Sequence, residues 1–235
     1  MIIVGNGRVG GGLYRRAQSR SVRVHMVSRT DGHRYIDERP DVPILVCTNA
    51  GDLRELIDTI PYDRRPSLIF VQNGMIDPAL DETGCGACTR GLLYFAAATR
   101  GAEIEPGGSS IFTGPNAQYA VDWFHAIGLE AGVVSPNSFA ADMASKLIWN
   151  CTFGLLCDVY QTSVGVLVDQ HRDEVDQLIS ELCMVATAGI GCQLDSAQVS
   201  TDLCAYSLRI ADYRGALKQW EWRNGWFVDS AETLG

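Results

Sequence analysis

Three glycines near the start of the chain, Gly5, Gly7 and Gly10, have the spacing G-x-G-x-x-G. They follow the apolar run Ile2 to Val4 and precede a helix-forming segment around Leu13 to Gln18. In this setting the first glycine allows a tight turn, the second lets a pyrophosphate approach the backbone, and the third lets the helix pack closely. The N–H groups at the helix N-terminus then face the phosphates. The pattern predicts a dinucleotide site, and its alternative is a glycine-rich turn that binds nothing.

The end of the second apolar strand, Val22 to Val27, bears on the choice of cofactor. Folds that bind NAD place Asp or Glu there, about 20 residues past the glycines, whereas an Arg can hold the 2′-phosphate of NADP. The strand is followed here by Ser28 and Arg29, with no carboxylate at that position. Arg29 therefore predicts NADPH as the cofactor, and the alternative is an ordinary solvated arginine.

A second set of polar residues, Asp142, Lys146 and Asn150, recurs at a spacing of four after Ser138, which can cap a helix. This spacing places the three on one helix face. A lysine ammonium beside a carbonyl group can stabilise negative charge on the oxygen and deliver a proton to it. The alternative for Lys146 is a surface ion pair with Asp142, worth about 0.3 to 0.5 kcal/mol.

The elements that must position these residues change character along the chain. Apolar strands alternate with helices up to about Pro136, and continuous helix signals follow from Ser138. The sequence therefore predicts an α/β Rossmann domain with a doubly wound, mostly parallel sheet over residues 1–136, and an all-α substrate or dimerisation domain over residues 137–235. The strands are expected at Ile2 to Val4, Val22 to Val27, Pro43 to Cys47, Leu68 to Val71, Gly91 to Ala97, Ser110 to Thr113 and Glu130 to Val134. The helices are expected near Leu53 to Ile57, at Ala117 to Ile127, from Ser138 past Asn150, at Asp173 to Ile190 and at Ser196 to Tyr213.

Composition excludes several classes of protein. The 235 residues are 46% hydrophobic and 20% charged, which is not the composition of a disordered or a membrane-spanning chain. A net charge of −9 argues against a nucleic-acid partner, since binding phosphates requires clustered Lys and Arg. The first strand begins at Met1 with no basic segment before it, so no signal peptide is expected and the protein is expected in the cytoplasm.

The eight cysteines are interpreted as reduced thiols, because no secretory signal accompanies them. Cys85 and Cys88 form the only C-x-x-C. A zinc site would need a second such pair or nearby histidines, and the four histidines are scattered one by one. No metal is expected, and a redox role for this pair is the weaker alternative to a loop with incidental cysteines.

Taken together, these residues resemble the ketopantoate reductase (2-dehydropantoate 2-reductase) family, whose members use NADPH to reduce a 2-oxo acid carbonyl. The resemblance covers nearly the whole chain and depends on the order and separation of four features. They are Gly5-Asn-Gly-Arg-Val-Gly10, the basic residue Arg29, Gln72-Asn-Gly-Met75 and Lys146-Leu-Ile-Trp-Asn150. The residues expected to contact the cofactor are Gly5, Asn6, Gly7, Arg8, Val9, Gly10, Ser28, Arg29, Thr48, Asn49 and Asn73.

The resemblance implies roles for individual residues. Lys146 corresponds to the proton donor, and Asn73 would lie beside the nicotinamide and the lysine. Asn150 would hydrogen-bond the substrate. If Asn224-Gly225 anchors the last helix, Ser207 falls where the family has a substrate-contacting serine. Gln219 then replaces the family's catalytic-region glutamate, and Glu221 is a nearby substitute for it.

The chain also departs from the family pattern. The family's next asparagine after Asn150 becomes Gly154, another becomes Val164, and the lysine after the third strand becomes Asn49. The changes at Gly154 and Val164 predict a 2-oxo acid or similar ketone with an apolar side chain rather than ketopantoate. The departures at Gly154, Val164 and Gln219 support an alternative function, a cofactor-binding regulatory or redox-sensing protein without catalysis. A third alternative is a related imine or hydroxy acid dehydrogenase. The partner in either enzymatic case is a small molecule. A homodimer is one option for the assembly, which the sequence does not decide.

Overall fold

A seven-stranded sheet fills the first part of the chain in the computed structural model, which describes residues 1–28, 36, 38–97 and 99–234. The sheet order is β2-β1-β3-β4-β5-β8-β9, and β6 pairs with β7 separately. The strands are β1 Ile2–Val4, β2 His25–Val27, β3 Ile44–Val46, β4 Leu68–Phe70, β5 Thr89–Leu92, β6 Phe95–Ala96, β7 Glu105–Pro106, β8 Ser110–Thr113 and β9 Ala131–Val133. This is the predicted doubly wound α/β fold.

The pairing pattern makes β1 the switch point of the sheet. The strand β1 pairs in parallel with β2 on one side and with β3 on the other, so that Ile2 aligns with both His25 and Ile44. Parallel pairing continues through β4 to β5, β8 then runs antiparallel to β5, and β9 is parallel to β8. In open sheets of this kind, ligands bind outside the carboxyl ends of the strands where the order reverses.

Helices cover the sheet and complete the hydrophobic core of this part. They are α1 Arg8–Ser19, α2 Leu53–Thr59, α3 Asp77–Glu82 and α4 Ala117–Ala126. The central strands β1, β3 and β4 are fully buried, as expected of parallel strands covered on both faces. Against them, Phe112 and Phe124 meet edge to face with ring centroids 5.0 Å apart. This layer fixes the strand ends that carry the predicted cofactor residues.

The second part of the chain is helical. Its helices are α5 Pro136–Tyr160, α6 Val164–Gln170, α7 Arg172–Ile190, α8 Ser196–Arg209 and α9 Asn224–Leu234. The chain divides into two compact units, Met1–Phe139 and Ala140–Gly235, so α5 begins in the first and ends in the second. Within the described ranges, no single helix has the length and hydrophobicity to cross a membrane, although the bent pair of α5 and α6 meets both criteria together.

Several boundaries differ from the sequence-based expectations. The predicted strand Val22 to Val27 is shortened to β2, because its partner β1 is only three residues long. The predicted strand Gly91 to Ala97 splits where β5 ends and β6 leaves the sheet to pair with β7. The long helix begins at Pro136 rather than Ser138, because the Ser135 hydroxyl accepts a hydrogen bond from the Ser138 amide at 3.2 Å.

Candidate active site

The glycine turn after β1 has the geometry that its spacing predicts. Gly5 has φ = +104°, and a Cβ there would lie 2.9 Å from the carbonyl carbon of Cys47. A Cβ on Gly10 would lie 2.0 Å from the Gly5 carbonyl oxygen, so only glycine lets the helix approach the turn this closely. A Cβ on Gly7, in contrast, would meet nothing within 4 Å. The first and third glycines are therefore structural, and the second leaves open space beside the backbone.

The N-terminus of α1 offers unpaired backbone donors to that space. Gly11 N donates to Gly7 O at 3.0 Å, so the amides of Arg8, Val9 and Gly10 precede the first donor with a helical partner. No side chain in the described residues caps this end, and the first turn contains no acidic residue. Arg8 instead places a cation where the helix dipole is already positive, which disfavours the helix unless an anion lies nearby. This end fits a pyrophosphate.

A cavity of about 690 Å³ opens at the switch point of the sheet. Its walls come from the ends of β1, β2 and β3, from α2, and from Arg100. The lining residues are Val4, Gly5, Asn6, Gly7, Arg8, Val27, Ser28, Cys47, Thr48, Asn49, Asp52, Glu55, Leu56, Thr59 and Arg100. The buried hydroxyl of Thr48 has no hydrogen-bond partner in the described part of the chain, so a polar ligand in the cavity would satisfy it. The size and the unsatisfied hydroxyl fit a bound nucleotide cofactor.

The predicted cofactor residues distribute unevenly around this cavity. Seven of them line it: Gly5, Asn6, Gly7, Arg8, Ser28, Thr48 and Asn49. Val9 and Gly10 belong to α1 behind the turn, and Arg29 lies outside the described residues. Sequence reasoning missed the opposite wall, where Asp52, Glu55, Leu56 and Thr59 project from one face. Asp52 immediately precedes α2 and the other three lie on it, and their spacing of three and four was the available signal.

Asn73 lies in the turn after β4, which is tied to the cavity wall. The Gln72 amide nitrogen donates to Val46 O at 2.9 Å and to Thr48 O at 3.1 Å. Gly74 has φ = +124°, a conformation that favours glycine. The backbone of the predicted Asn-Gly turn is therefore held in place, and the Asn73 side chain is exposed at the carboxyl edge of the sheet.

Lys146 lies on α5, nearly three turns into the helix. Burial, together with the nearby Arg223 cation, lowers the pKa of its ammonium to about 8. Partial burial raises the pKa of the exposed Asp142. Both directions are opposite to those of an ion pair between the two residues, which would raise the lysine pKa and lower that of the carboxyl. The shifts therefore do not match a surface ion pair with Asp142, and the role of Lys146 as an acid stays a prediction.

Two predicted substrate contacts on the helical unit are already engaged in hydrogen bonds. The side-chain amide of Asn150 donates to Lys146 O at 2.7 Å, which leaves its oxygen for a ligand. Ser207 is fully buried, accepts from Trp149 Nε1 at 2.9 Å and donates to Leu203 O at 2.9 Å. Because a hydroxyl has two lone pairs, one remains. A substrate contact by Ser207 would have to use that lone pair, and it stays a prediction.

A segment from Gly215 to Arg223 runs along α5 and contains the other predicted contacts. Leu217 N donates to Asp158 Oδ2 at 2.7 Å, and a Cβ on Gly154 would lie only 3.0 Å from the carbonyl oxygen of Ala216. Gln219 is half-buried with a left-handed φ of +50°, which is uncommon outside glycine, and Glu221 is exposed. The roles assigned to both residues stay predictions.

One of the two departures from the family pattern on this unit has a packing explanation. Gly154 accommodates the close approach of the segment from Gly215, and an asparagine side chain there would have to move this segment. Val164 is fully buried, and its amide donates to Tyr213 O at 2.9 Å. The change at Gly154 therefore has a reason in packing, which weakens the sequence-based argument for an apolar substrate pocket.

Aromatic rings surround the middle of α5 instead. Trp149 lies 5.7 Å from Phe153, 5.3 Å from Tyr206 and 6.0 Å from Tyr213, measured between ring centroids. Trp149 is three residues from Lys146, so the two side chains are neighbours on the helix surface. An apolar cluster therefore lies beside the candidate acid.

Arg223 is a buried charged residue that the sequence did not single out. Its side chain is 9% exposed, and its Nε has no hydrogen-bond partner among the described residues. The next residue, Asn224, donates from Nδ2 to Cys151 O at 3.2 Å, which holds this part of the chain against α5 one turn beyond Lys146. In the sequence Arg223 is an arginine among tryptophans, and nothing distinguishes it from a surface arginine.

Within the described residues, no group of three or more His, Cys, Asp and Glu side chains could hold a metal ion. Cys85 and Cys88 are both buried, and the Cys88 thiol donates to Arg65 O at 3.2 Å. The adjacent Cys88 side chain is the largest cause that lowers the pKa of Cys85, to about 7. The pair therefore has local partners as thiols, and its redox role stays a prediction.

A scan against protein-family models and a search of curated protein sequences find no match to this chain. Solved structures share its fold. D-mandelate dehydrogenase in a ternary structure with NADH and anilino(oxo)acetate matches with a TM-score of 0.74 at 15% identity, covering 100% of this chain and 93% of that one. A PanE/ApbA family ketopantoate reductase from Ralstonia eutropha JMP134 matches at 0.75 and 18%, covering 100% and 93%. A dimeric ketopantoate reductase from Staphylococcus aureus matches at 0.75 and 16%, covering 99% and 91%. The resemblance in fold is confirmed.

Proposed function

We propose that this protein is an NADPH-dependent reductase of a 2-oxo acid or a similar ketone, with Lys146 as the proton donor. The observation that carries the proposal is the glycine turn at the switch-point cavity, with an open position at Gly7 and an uncapped helix N-terminus. A lysine of lowered pKa on the long helix supplies the second requirement of a carbonyl reductase.

The cofactor is held by groups that the chain already presents. The amides of Arg8, Val9 and Gly10 take the pyrophosphate, and the Thr48 hydroxyl takes one further polar group. The choice of NADPH is supported by Arg29 at the position that distinguishes the two cofactors. D-mandelate dehydrogenase, which has the same fold, was solved with NADH, so a titration with both cofactors decides between them.

The proton donor works through its lowered pKa. When bound, the reduced nicotinamide supplies the hydride that the carbonyl carbon receives. Lys146 stabilises the negative charge that develops on the carbonyl oxygen and transfers a proton from Nζ to it, with a gain of about 10²- to 10⁴-fold. A pKa of about 8 keeps the ammonium protonated at neutral pH yet acidic enough to give up its proton. Asn73 is proposed to hold the nicotinamide side of this arrangement.

The substrate is proposed to be a 2-oxo acid with an apolar side chain. The aromatic cluster around Trp149 supports this choice, because such rings bury apolar groups well. D-mandelate dehydrogenase was solved with anilino(oxo)acetate, an oxo acid that carries an aromatic group. The Asn150 oxygen, Ser207, Gln219 and Glu221 are the proposed polar contacts around this substrate.

The experiment is NADPH oxidation with a panel of 2-oxo acids and ketones, including ketopantoate, its analogue without the hydroxyl, and 4-methyl-2-oxopentanoate. Turnover of any member supports the reductase. A tenfold or greater preference for ketopantoate over the analogue would contradict the apolar substrate. Tight NADPH binding without turnover of any carbonyl compound would instead favour the regulatory alternative.

Assembly as a homodimer is part of the proposal. The S. aureus ketopantoate reductase with this fold is described as dimeric. The last helices of this chain carry exposed apolar side chains, including Leu208, Trp220 and Val228. Light scattering at micromolar concentration measures the mass directly, and a mass of 25.6 kDa would contradict the dimer.

A further inference from the structure

We propose that Arg223 binds the carboxylate of the 2-oxo acid, next to the carbonyl group that Lys146 protonates. The proposal deepens the proposed function and rests on it, since it assigns the group that recognises the acid. It makes an anionic carboxylate, and not only a ketone, a requirement for tight substrate binding. A carboxylate that lies beside a carbonyl presents two adjacent oxygen sites, which two adjacent cations can address separately.

Arg223 is a buried cation without a counter-ion among the described residues. Its side chain is 9% exposed, and the described residues provide no carboxylate within ion-pair distance and no acceptor for its Nε. A buried charge without a partner is strongly disfavoured. The guanidinium fork matches a carboxylate through two parallel hydrogen bonds. A bound carboxylate would therefore provide the counter-ion and the Nε acceptor that the described residues do not provide.

The backbone holds Arg223 in place from both sides. Before it, Arg223 N donates to Trp220 O at 3.0 Å, closing the 3-10 turn Trp220–Trp222. After it, Asn224 Nδ2 donates to Cys151 O at 3.2 Å on α5. A Cβ on Gly225 would lie 2.8 Å from the Trp220 ring, so the turn packs closely on the start of α9. The side chain is thus presented from a fixed backbone, as a recognition residue requires.

Arg223 and Lys146 lie in one region of the helical unit, because Asn224, the neighbour of Arg223, bonds to Cys151 O on α5. Arg223 is near enough to Lys146 to disfavour its protonated form. The acidic residues nearest in sequence to the two, Asp142 and Glu221, are both exposed. Gln219, where the resemblance places a glutamate, is neutral and leaves the positive charge intact. An anion between the cations would relieve their repulsion.

Arg223→Leu is the main test, because leucine keeps the apolar bulk and removes the charge. The KM for 4-methyl-2-oxopentanoate is expected to rise about 30-fold or more, as when one partner of a buried charge pair is truncated, with a much smaller change in kcat. The KM for its methyl ester, which has no carboxylate, is expected to stay the same. Arg223→Lys should give an intermediate value, because it keeps the charge without the fork.

Arg214→Leu is the matched control. Arg214 is an exposed arginine of the same segment, bonded to Gln161, and its loss should leave both KM values unchanged. Equal effects of Arg223→Leu on the acid and on its ester would overturn the proposal, because a general packing defect does not distinguish them.

A binding measurement separates this proposal from the proposed function, since it needs no turnover. Oxalate, a dicarboxylate that cannot be reduced in this reaction, is titrated by calorimetry into each protein saturated with NADP. Binding to the wild type and to Arg214→Leu, with at least tenfold weaker binding to Arg223→Leu, supports the site even if no carbonyl compound is reduced. Equal oxalate affinity in all three proteins overturns it.

Folding of the variants is checked by thermal unfolding without ligand. Arg223→Leu is expected to unfold at or above the wild-type temperature, because an unpaired buried charge is removed. Should Arg223→Leu fail to fold, Arg223→Lys and Arg223→Gln carry the same comparison of acid and ester. In those variants too, an unchanged preference for the acid overturns the proposal.

Discussion

The two halves of the molecule carry candidate functional groups of different kinds. In the first unit the cofactor cavity is formed largely by backbone: a left-handed Gly5, a helix end without a cap, and the ends of three strands. In the helical unit the reactive groups are side chains, Lys146 and Arg223, whose properties come from burial. A backbone-built site can be identified from local sequence, because glycine positions encode it. A site built from buried side chains depends on tertiary packing that no local pattern reveals.

Replacement of Lys146 is the strongest test of the side-chain half. Lys146→Ala is expected to lower kcat by ~10²-fold or more and to leave the Kd for NADPH nearly unchanged, because the lost group acts only in the transition state. Stopped-flow fluorescence and steady-state rates give the two values. Lys218 is the only other lysine in the sequence and is exposed, so Lys218→Ala is the matched control. Full activity of Lys146→Ala would show that Lys146 is not the proton donor.

The backbone half is tested by two glycines of the same turn. Gly10→Ala places a Cβ 2.0 Å from the Gly5 carbonyl oxygen, which is expected to cost about 3 kcal/mol in the free energy of unfolding and to abolish cofactor binding. Gly7→Ala places its Cβ in open space, so its unfolding free energy should change by less than about 1 kcal/mol. Urea denaturation measures both. Equal stability of the two variants would show that Gly10 does not require its missing side chain.

Gly7 is expected to matter for cofactor binding rather than for stability. Because the open space beside it is the proposed approach of the pyrophosphate, Gly7→Ala should weaken NADPH binding although the fold is retained. Unchanged affinity in Gly7→Ala would place the pyrophosphate elsewhere.

Much of the fold follows from local pattern. The strands β1 and β8 and the helix α4 lie within one residue of their predicted bounds, since buried apolar runs and clear turn residues define them. The short helices α3 and α6 were not predicted, because six or seven residues carry too little periodicity. The helix predicted to Tyr213 ends at Arg209, and Tyr213 O instead accepts from Val164 N across the unit. Such contacts between distant residues are invisible in sequence.

The candidate site divides in the same way. Seven cofactor residues predicted from the glycine turn and the strand ends line the cavity. Arg223 was missed because its burial is created by the turn before it and by the contact of Asn224 with α5. Gly154 was interpreted as a lost polar contact, whereas it is a close approach of two backbone segments. The sequence shows that glycine replaces the family's asparagine at position 154, but the reason for the change is visible only in the structure.

The preference for NADPH over NADH is expected to be a smaller effect, and the sequence assigns it to Arg29. Arg29→Ala is expected to weaken NADPH binding tenfold or more and to leave NADH binding unchanged, because a charged hydrogen bond to the 2′-phosphate is worth about 1.5 to 3 kcal/mol. Fluorescence titration of both cofactors measures it, with the exposed Arg23→Ala as the control. If Arg29→Ala still prefers NADPH, the 2′-phosphate must be bound by another cation, such as Arg8 or Arg100 of the cavity wall.

The pH dependence of the reduction rate tests whether Arg223 affects the pKa of Lys146. We expect this to be the smallest of the effects described. With a pKa of about 8, Lys146 is protonated below that pH, so the rate of reduction should be level near pH 7 and about tenfold lower at pH 9. Because the Arg223 cation depresses this pKa, Arg223→Leu should move the midpoint to higher pH. The profile is measured with a ketone that has no carboxylate, so that substrate binding by Arg223 does not enter. In Arg214→Leu the midpoint should stay near 8, and a midpoint in Arg223→Leu that equals the wild-type value would mean that burial alone sets the acidity of Lys146.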